Sequence, residues 1–201
     1  MTIFANTKQP RQEYIPYMKR LLLFITLCLL AAACTKTPEQ KAEALIKHDL
    51  LVALAFPESY EPVETQLDSA FSPYNDPAFI DLAFDSFKTF TDLDEIIRQI
   101  KQAQAANEDY ADAEIKRKAL SGRLNKQIER LKEKAKKEPE FIGYIAHHRF
   151  RAQRDNGETI LTGEYYLLDK DLTRLIARWN EIKYNAYDQF LQHMISSGEL
   201  E

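Results

Sequence analysis

Glycine is scarce in this chain and cysteine scarcer: five of one and two of the other among 201 residues. Five scattered glycines leave no Gly-rich loop to cradle a phosphate, and no serine stands in a Gly-x-Ser-x-Gly nucleophile turn. Two cysteines, Cys28 and Cys34, exclude a disulfide framework and a thiolate zinc centre. The histidines His48, His147, His148 and His193 lack ligand spacing, and adjacent strand residues point to opposite faces, so His147 and His148 do not chelate one ion. No metal and no cofactor are therefore expected, and no catalytic residue is assigned. Positive charge is also short, at 27 Lys or Arg against 31 Asp or Glu. That balance argues against nucleic acid or anionic lipid as a general partner. Long apolar runs are missing too: the uncharged stretch Leu21 to Ala33 falls short of the roughly 20 residues a spanning helix needs.

That stretch does fit a secretory signal. Lys19 and Arg20 form a positive n-region before it, and Ala31-Ala32-Ala33-Cys34 closes it. The junction resembles a bacterial lipobox, in which small residues admit the peptidase and the cysteine thiol is lipidated. The usual leucine three places before the cysteine is Ala31 here, with Leu30 one place earlier. An ordinary signal, or a buried apolar helix with an incidental cysteine, is the alternative. On the lipobox reading, residues 18–33 are a lipoprotein signal peptide, Cys34 carries the lipid, and 34–38 are a linker. Residues 1–17 sit awkwardly ahead of a complete signal; Met18 makes the better start, and an extended n-region is the other account. Four of the basic residues and one of the acidic ones precede Cys34, so the remainder carries a net −7.

Residues 39–201 are expected to form one α+β domain. Thr37 is a good N-cap with Pro38 at the first helical position, and Ala42, Leu45, Ile46, Leu50, Ala53 and Leu54 recur at helical spacing until Pro57. Residues 63–71 alternate as a short strand. Asp76-Pro77 opens a helical region running to about 138, with apolar stripes at Ile80, Ala83, Phe84, Phe87, Phe90, Leu93, Ile97 and Ile100, then at Leu120, Leu124, Ile128, Leu131 and Ala135. Residues 61–112 hold twelve acidic and three basic residues; 114–138 hold ten basic and four acidic. Opposite charges on two stripes favour an antiparallel helical hairpin broken near Asn107 to Asp112, although no glycine or proline enforces the break. The basic run Lys132 to Lys137 reads as a solvated face balanced by its acidic neighbour.

Asp155-Asn156-Gly157-Glu158 between two β-rich runs, 141–151 and 159–168, is a hairpin signal. A two-residue Asn-Gly turn opposes Asp155 to Glu158, so facing residue numbers sum to 313. His148 then packs beside Tyr165, His147 sits near Tyr166, and Arg149 pairs with Glu164 on a solvated face. Leu172, Leu175, Ile176, Trp179 and Ile182 have helical spacing that runs on through Ala186, Phe190, Leu191 and Met194. A bare hairpin is marginal, however, so the expectation is a third strand from Leu172 to about Trp179, completing a small antiparallel meander, followed by a helix from about Glu181 to Ser196.

Pro57-Glu58-Ser59-Tyr60-Glu61-Pro62-Val63, Glu140-Phe141-Ile142-Gly143-Tyr144, His148-Arg149-Phe150-Arg151-Ala152 with Gly157, and Tyr165 to Leu172 resemble a group of small Gram-negative, Bacteroides-type lipoproteins. The resemblance implies a lipid-anchored α+β domain with a variable helical segment between its first strand and its meander. It implies no activity.

Two functions are expected from these features. The first is a non-enzymatic structural or interaction protein at the outer membrane, facing the periplasm, with membrane lipid as partner through Cys34 and a protein partner through the helical hairpin. Thr35 is not the aspartate associated with inner-membrane retention, and no acidic run follows it. The second is a periplasmic small-ligand or peptide-binding module with His147, Arg149, Arg151 and Tyr166 as contacts. Arg149, Arg151 and Arg154 form the one basic cluster on the sheet, with Glu164, Asp155 and Glu158 as neutralising neighbours. Hydrolysis ranks last, since no nucleophile–base spacing is visible.

Overall fold

Helix α1, Pro38–Ala53, buries Ala42, Ile46 and Leu50, one stripe at intervals of four residues, and leaves its other face to water. The computed structural model describes residues 36–200; residues 1–17, the signal 18–33, the lipidation site Cys34 and Thr35 lie outside them. A 3-10 turn at Pro57–Ser59 then leads into strand β1, Glu61–Ser72. Ser59 pins that turn to the sheet: its hydroxyl donates to the Phe56 carbonyl at 2.6 Å and accepts from the Gln153 amide at 2.9 Å.

Next come the two long helices, α2 over Pro77–Ala106 and α3 over Ala111–Ala135. Asp76 caps α2 as expected, its carboxylate accepting from the Ala78 amide at 2.8 Å with Pro77 at the first position. The break falls where charge placed it, and Asn107 makes it. Its backbone is left-handed at φ 58°, and the amides of Asn107 and Glu108 close onto the Gln104 and Ala103 carbonyls. Asparagine is the usual substitute for glycine at such a cap.

Strands β2 (Glu140–Gln153), β3 (Thr159–Leu168) and β4 (Leu175–Asn180) follow, and Asn180 caps helix α4, Glu181–Ser196. The four strands form an antiparallel meander in the order β1-β2-β3-β4, so the α2–α3 hairpin is an excursion between two paired neighbours. β4 begins three residues later than expected. The Asp169 carboxylate accepts from the Thr173 and Arg174 amides at 2.7 and 3.2 Å, holding 169–174 in a turn with Leu172 at φ 54°.

The β2–β3 hairpin is present, but its register is one residue off the expected one. Tyr144 faces Leu168, His147 faces Tyr165 and Arg151 faces Leu161, so facing numbers sum to 312. Arg154 and Glu158 close the ladder, with a hydrogen bond from the Arg154 amide to the Glu158 carbonyl at 2.9 Å. The loop is therefore three residues, Asp155-Asn156-Gly157, with Gly157 left-handed at φ 82°. Asn-Gly at the end of a three-residue loop satisfies the same turn chemistry as Asn-Gly in a two-residue one.

The shift exchanges partners across the hairpin, and it corrects the expectation of one wet face. Both faces are covered. On one, Ala146, Phe150, Tyr166 and Leu168 pack under α1 at Ile46 and Leu50. On the other, Ala70, Leu167 and Trp179 pack against Phe79, Ile80 and Ala83 of α2 and against Tyr187, Phe190 and Leu191 of α4.

Candidate functional site

The four sheet residues singled out in the sequence do not converge. His147 and His148 do stand on opposite faces, but the register reverses the expected neighbours. His147 is stacked on Tyr165, ring centroids 4.4 Å apart, and its Nε2 lies 3.1 Å from Glu181 Oε1 at the start of α4. Gly163 makes room for that pair: a Cβ there would stand 2.9 Å from Glu181 Oε2. Arg149 and Arg151 share this face and reach across to β1, meeting Glu64 at 3.8 Å and Glu61 at 3.3 Å. Arg149 faces Gly163, so its expected pairing with Glu164 does not form.

Tyr166 belongs to the opposite face and is fully buried. Its hydroxyl donates to Glu164 Oε2 at 2.6 Å; Arg178 of β4 lies 3.6 Å from the same oxygen and donates to Asp49 of α1 at 2.8 Å. This chain of polar groups fastens α1 to the sheet. Burial first, and the bond to Glu164 second, push the Tyr166 hydroxyl well above the usual tyrosine range. It donates; it does not titrate.

His148 is also inside, at 0% exposure. Its Nε2 lies 2.9 Å from the Tyr60 hydroxyl and its Nδ1 2.8 Å from Thr65 Oγ1. Burial, with the neighbouring His147 adding to it, pulls its pKa down to about 4. Burial, followed by the charge of Glu43, raises that of Tyr60 to about 12. Two hydrogen bonds and a neutral ring make His148 a core residue. Among the described residues, no group of three His, Cys, Asp or Glu is placed to hold a metal ion.

The concave features lie on the helices instead. An apolar groove of about 430 Å³ runs between α2, α3 and α4, walled by Phe87, Phe90, Leu124, Ile128, Phe190 and Met194. Phe90, expected on the buried stripe of α2, is 47% exposed at its lip. Lys132 of α3 and Glu199 beyond α4 close one end with a 2.6 Å ion pair. The α2 and α3 stripes were legible in the sequence; the third wall was not. Helix α4 lies far along the chain and meets α2 only in the folded core, where Phe190 packs edge-on to Phe87 with ring centroids 6.1 Å apart.

The fold thus defines an α+β protein: a four-stranded antiparallel meander, one helix on one face, and a helical hairpin with the C-terminal helix on the other. No family model, no curated protein and no solved structure matches the chain. No helix among the described residues is long and apolar enough to cross a membrane.

Proposed function

We propose that this chain is a lipid-anchored cell-envelope protein of non-enzymatic, protein-interaction role. It is tethered through Cys34 on the periplasmic side of the outer membrane and engages a partner protein with its helical hairpin. The observation that carries this reading is the groove between α2, α3 and α4, whose lip holds the half-exposed Phe90. Contiguous apolar surface rimmed by polar groups is what marks interaction sites, and this groove is walled by apolar side chains with Gln189, His193 and Glu199 at its edge. The lipobox-like Ala31-Ala32-Ala33-Cys34 supplies the tether. A diacylglycerol thioether with further acylation gives the chains that stable anchoring requires.

Two measurements test the two halves separately. Mass spectrometry of protein extracted from native membranes is expected to find Cys34 as the acylated N-terminus; an intact chain retaining residues 1–33 would remove the tether. A photo-crosslinker at position 90 is expected to capture one stoichiometric partner in the envelope, lost in Ile128→Glu. Recovery of the uncrosslinked protein alone would remove the interaction role.

A further inference from the structure

On the other side of the helical hairpin α2 and α3 enclose a second concavity, a cleft of about 580 Å³. Lys118, Arg123, Lys126 and Arg130 line it from α3, facing Asp85 of α2. Among the described residues Arg123, Lys126 and Arg130 form no ion pair. The protein's excess is acidic, so three unpaired cations at one opening are a local inversion of its overall charge. Arg123 and Arg130 are seven residues apart and so share a helix face about 10 Å apart along the axis. Gly122, beside Arg123, lines the same opening, and no atom of another turn or element comes within 4 Å of where its Cβ would stand.

The second observation is independent of charge. Gln127 lines the same cleft and is only 8% exposed, and its Oε1 is buried with no hydrogen-bond donor. Native proteins leave few such acceptors unpaired, because an orphan of this kind costs more than the bond it lacks would contribute. Gln127 also interrupts the apolar stripe that runs from Leu124 to Leu131. A leucine at position 127 would continue that stripe; the glutamine instead holds an acceptor at the cleft wall for a donor to meet.

We infer that the α2–α3 cleft binds a hydroxylated phosphate ester, of the sugar-phosphate type. The guanidinium forks of Arg123 and Arg130, with Lys126, take the phosphate oxygens. The Asp85 carboxylate and Gln127 Oε1 are acceptors that a bare anion cannot satisfy, and they take the hydroxyls. Ammonium groups offer donors as well, but the cations around the cleft oppose them. The same chemistry occurs free in solution and in a lipid headgroup. This inference stands on the cleft alone and does not need the lipid tether or the partner groove.

The test is titration calorimetry on the full-length protein in detergent with glucose 6-phosphate, inorganic phosphate and glucose, and flotation with phosphatidylglycerol or phosphatidylcholine vesicles. Glucose 6-phosphate is expected to bind at least tenfold more tightly than inorganic phosphate, and glucose not measurably. The double variant K126Q/R130Q is expected to lose tenfold or more toward both phosphates, as removal of charged hydrogen bonds does. Gln127→Leu is expected to erase the preference for the sugar phosphate over inorganic phosphate and to raise Tm. If only phosphatidylglycerol vesicles bind, and the double variant does not, the source is a lipid headgroup. No binding by any of these probes, or equal binding by wild type and the double variant, overturns the inference.

Discussion

His147 lies flat on Tyr165, ring planes within 9° of each other, and Tyr165 lies in turn on Tyr184 of α4 at 3.9 Å. One residue along, His148 points through the sheet into the other core. Two adjacent histidines thus serve two different layers, one half-wet and carboxylate-paired, the other dry.

The dry one sets a pH dependence. A histidine whose pKa is near 6.5 unfolded and about 4 folded binds its proton more readily in the unfolded chain. Its contribution is complete above pH 6.5 and is lost as pH falls toward 4, up to about 3 kcal/mol. Urea midpoints measured from pH 7 to pH 4 are expected to fall more steeply for wild type than for His148→Gln. Parallel curves would mean that His148 titrates normally.

Tyr166→Phe is expected to cost about 1.5 kcal/mol, the value of a hydrogen bond to a charged acceptor. Glu164 keeps Arg178 nearby and some access to water, which holds the loss at the lower end. Thermal unfolding checks it. Arg178→Ala releases Asp49 as well, and an added loss below about 1 kcal/mol is expected from so exposed a pair.

Gly163→Ala places a methyl against both Glu181 and His147. Both obstacles are side-chain ends, so the ring and carboxylate swing apart and the protein loses their bond, about 1 kcal/mol. Glu181→Ala removes the crowding. The double variant is expected to be more stable than the sum of the single losses by about 0.5 kcal/mol or more. Strict additivity would show that the two groups do not meet.

At the tip of the helical hairpin, Asn107→Gly is expected to stabilise by a few tenths of a kcal/mol, since glycine takes the left-handed cap without strain. Asn107→Ala is expected to cost about 1 kcal/mol. Circular dichroism melts of the three proteins order them Gly, Asn, Ala.

Much of the chain's organisation was readable along its length. Asp76-Pro77 and Pro38 start helices where their geometry allows, and the charge reversal around residue 113 located the α2–α3 break to within the loop it occupies. These signals work because capping, proline geometry and flanking charge act over a few residues. The candidate site fared differently. Three of the four sheet residues share a face, but each of those three meets a carboxylate from β1 or α4. Gln127 was passed over, because the stripe Leu120, Leu124, Ile128, Leu131 and Ala135 steps past it and only helix packing buries its amide.

The sequence by itself determined the helices at 38–53, 77–106 and 111–135 and the β2–β3 hairpin. The spacing of Leu172, Leu175, Ile176, Trp179 and Ile182 suited helix as well as strand until the sheet claimed 175–180. Only the tertiary structure decided the hairpin register, which core each histidine enters, and that α4 completes a groove with α2 and α3. β3 is apolar on both sides, with Leu161, Tyr165 and Leu167 on one and Tyr166 and Leu168 on the other. Alternation therefore could not choose between registers. The choice falls to the three-residue loop with left-handed Gly157, and to layers of helix on both faces of the sheet.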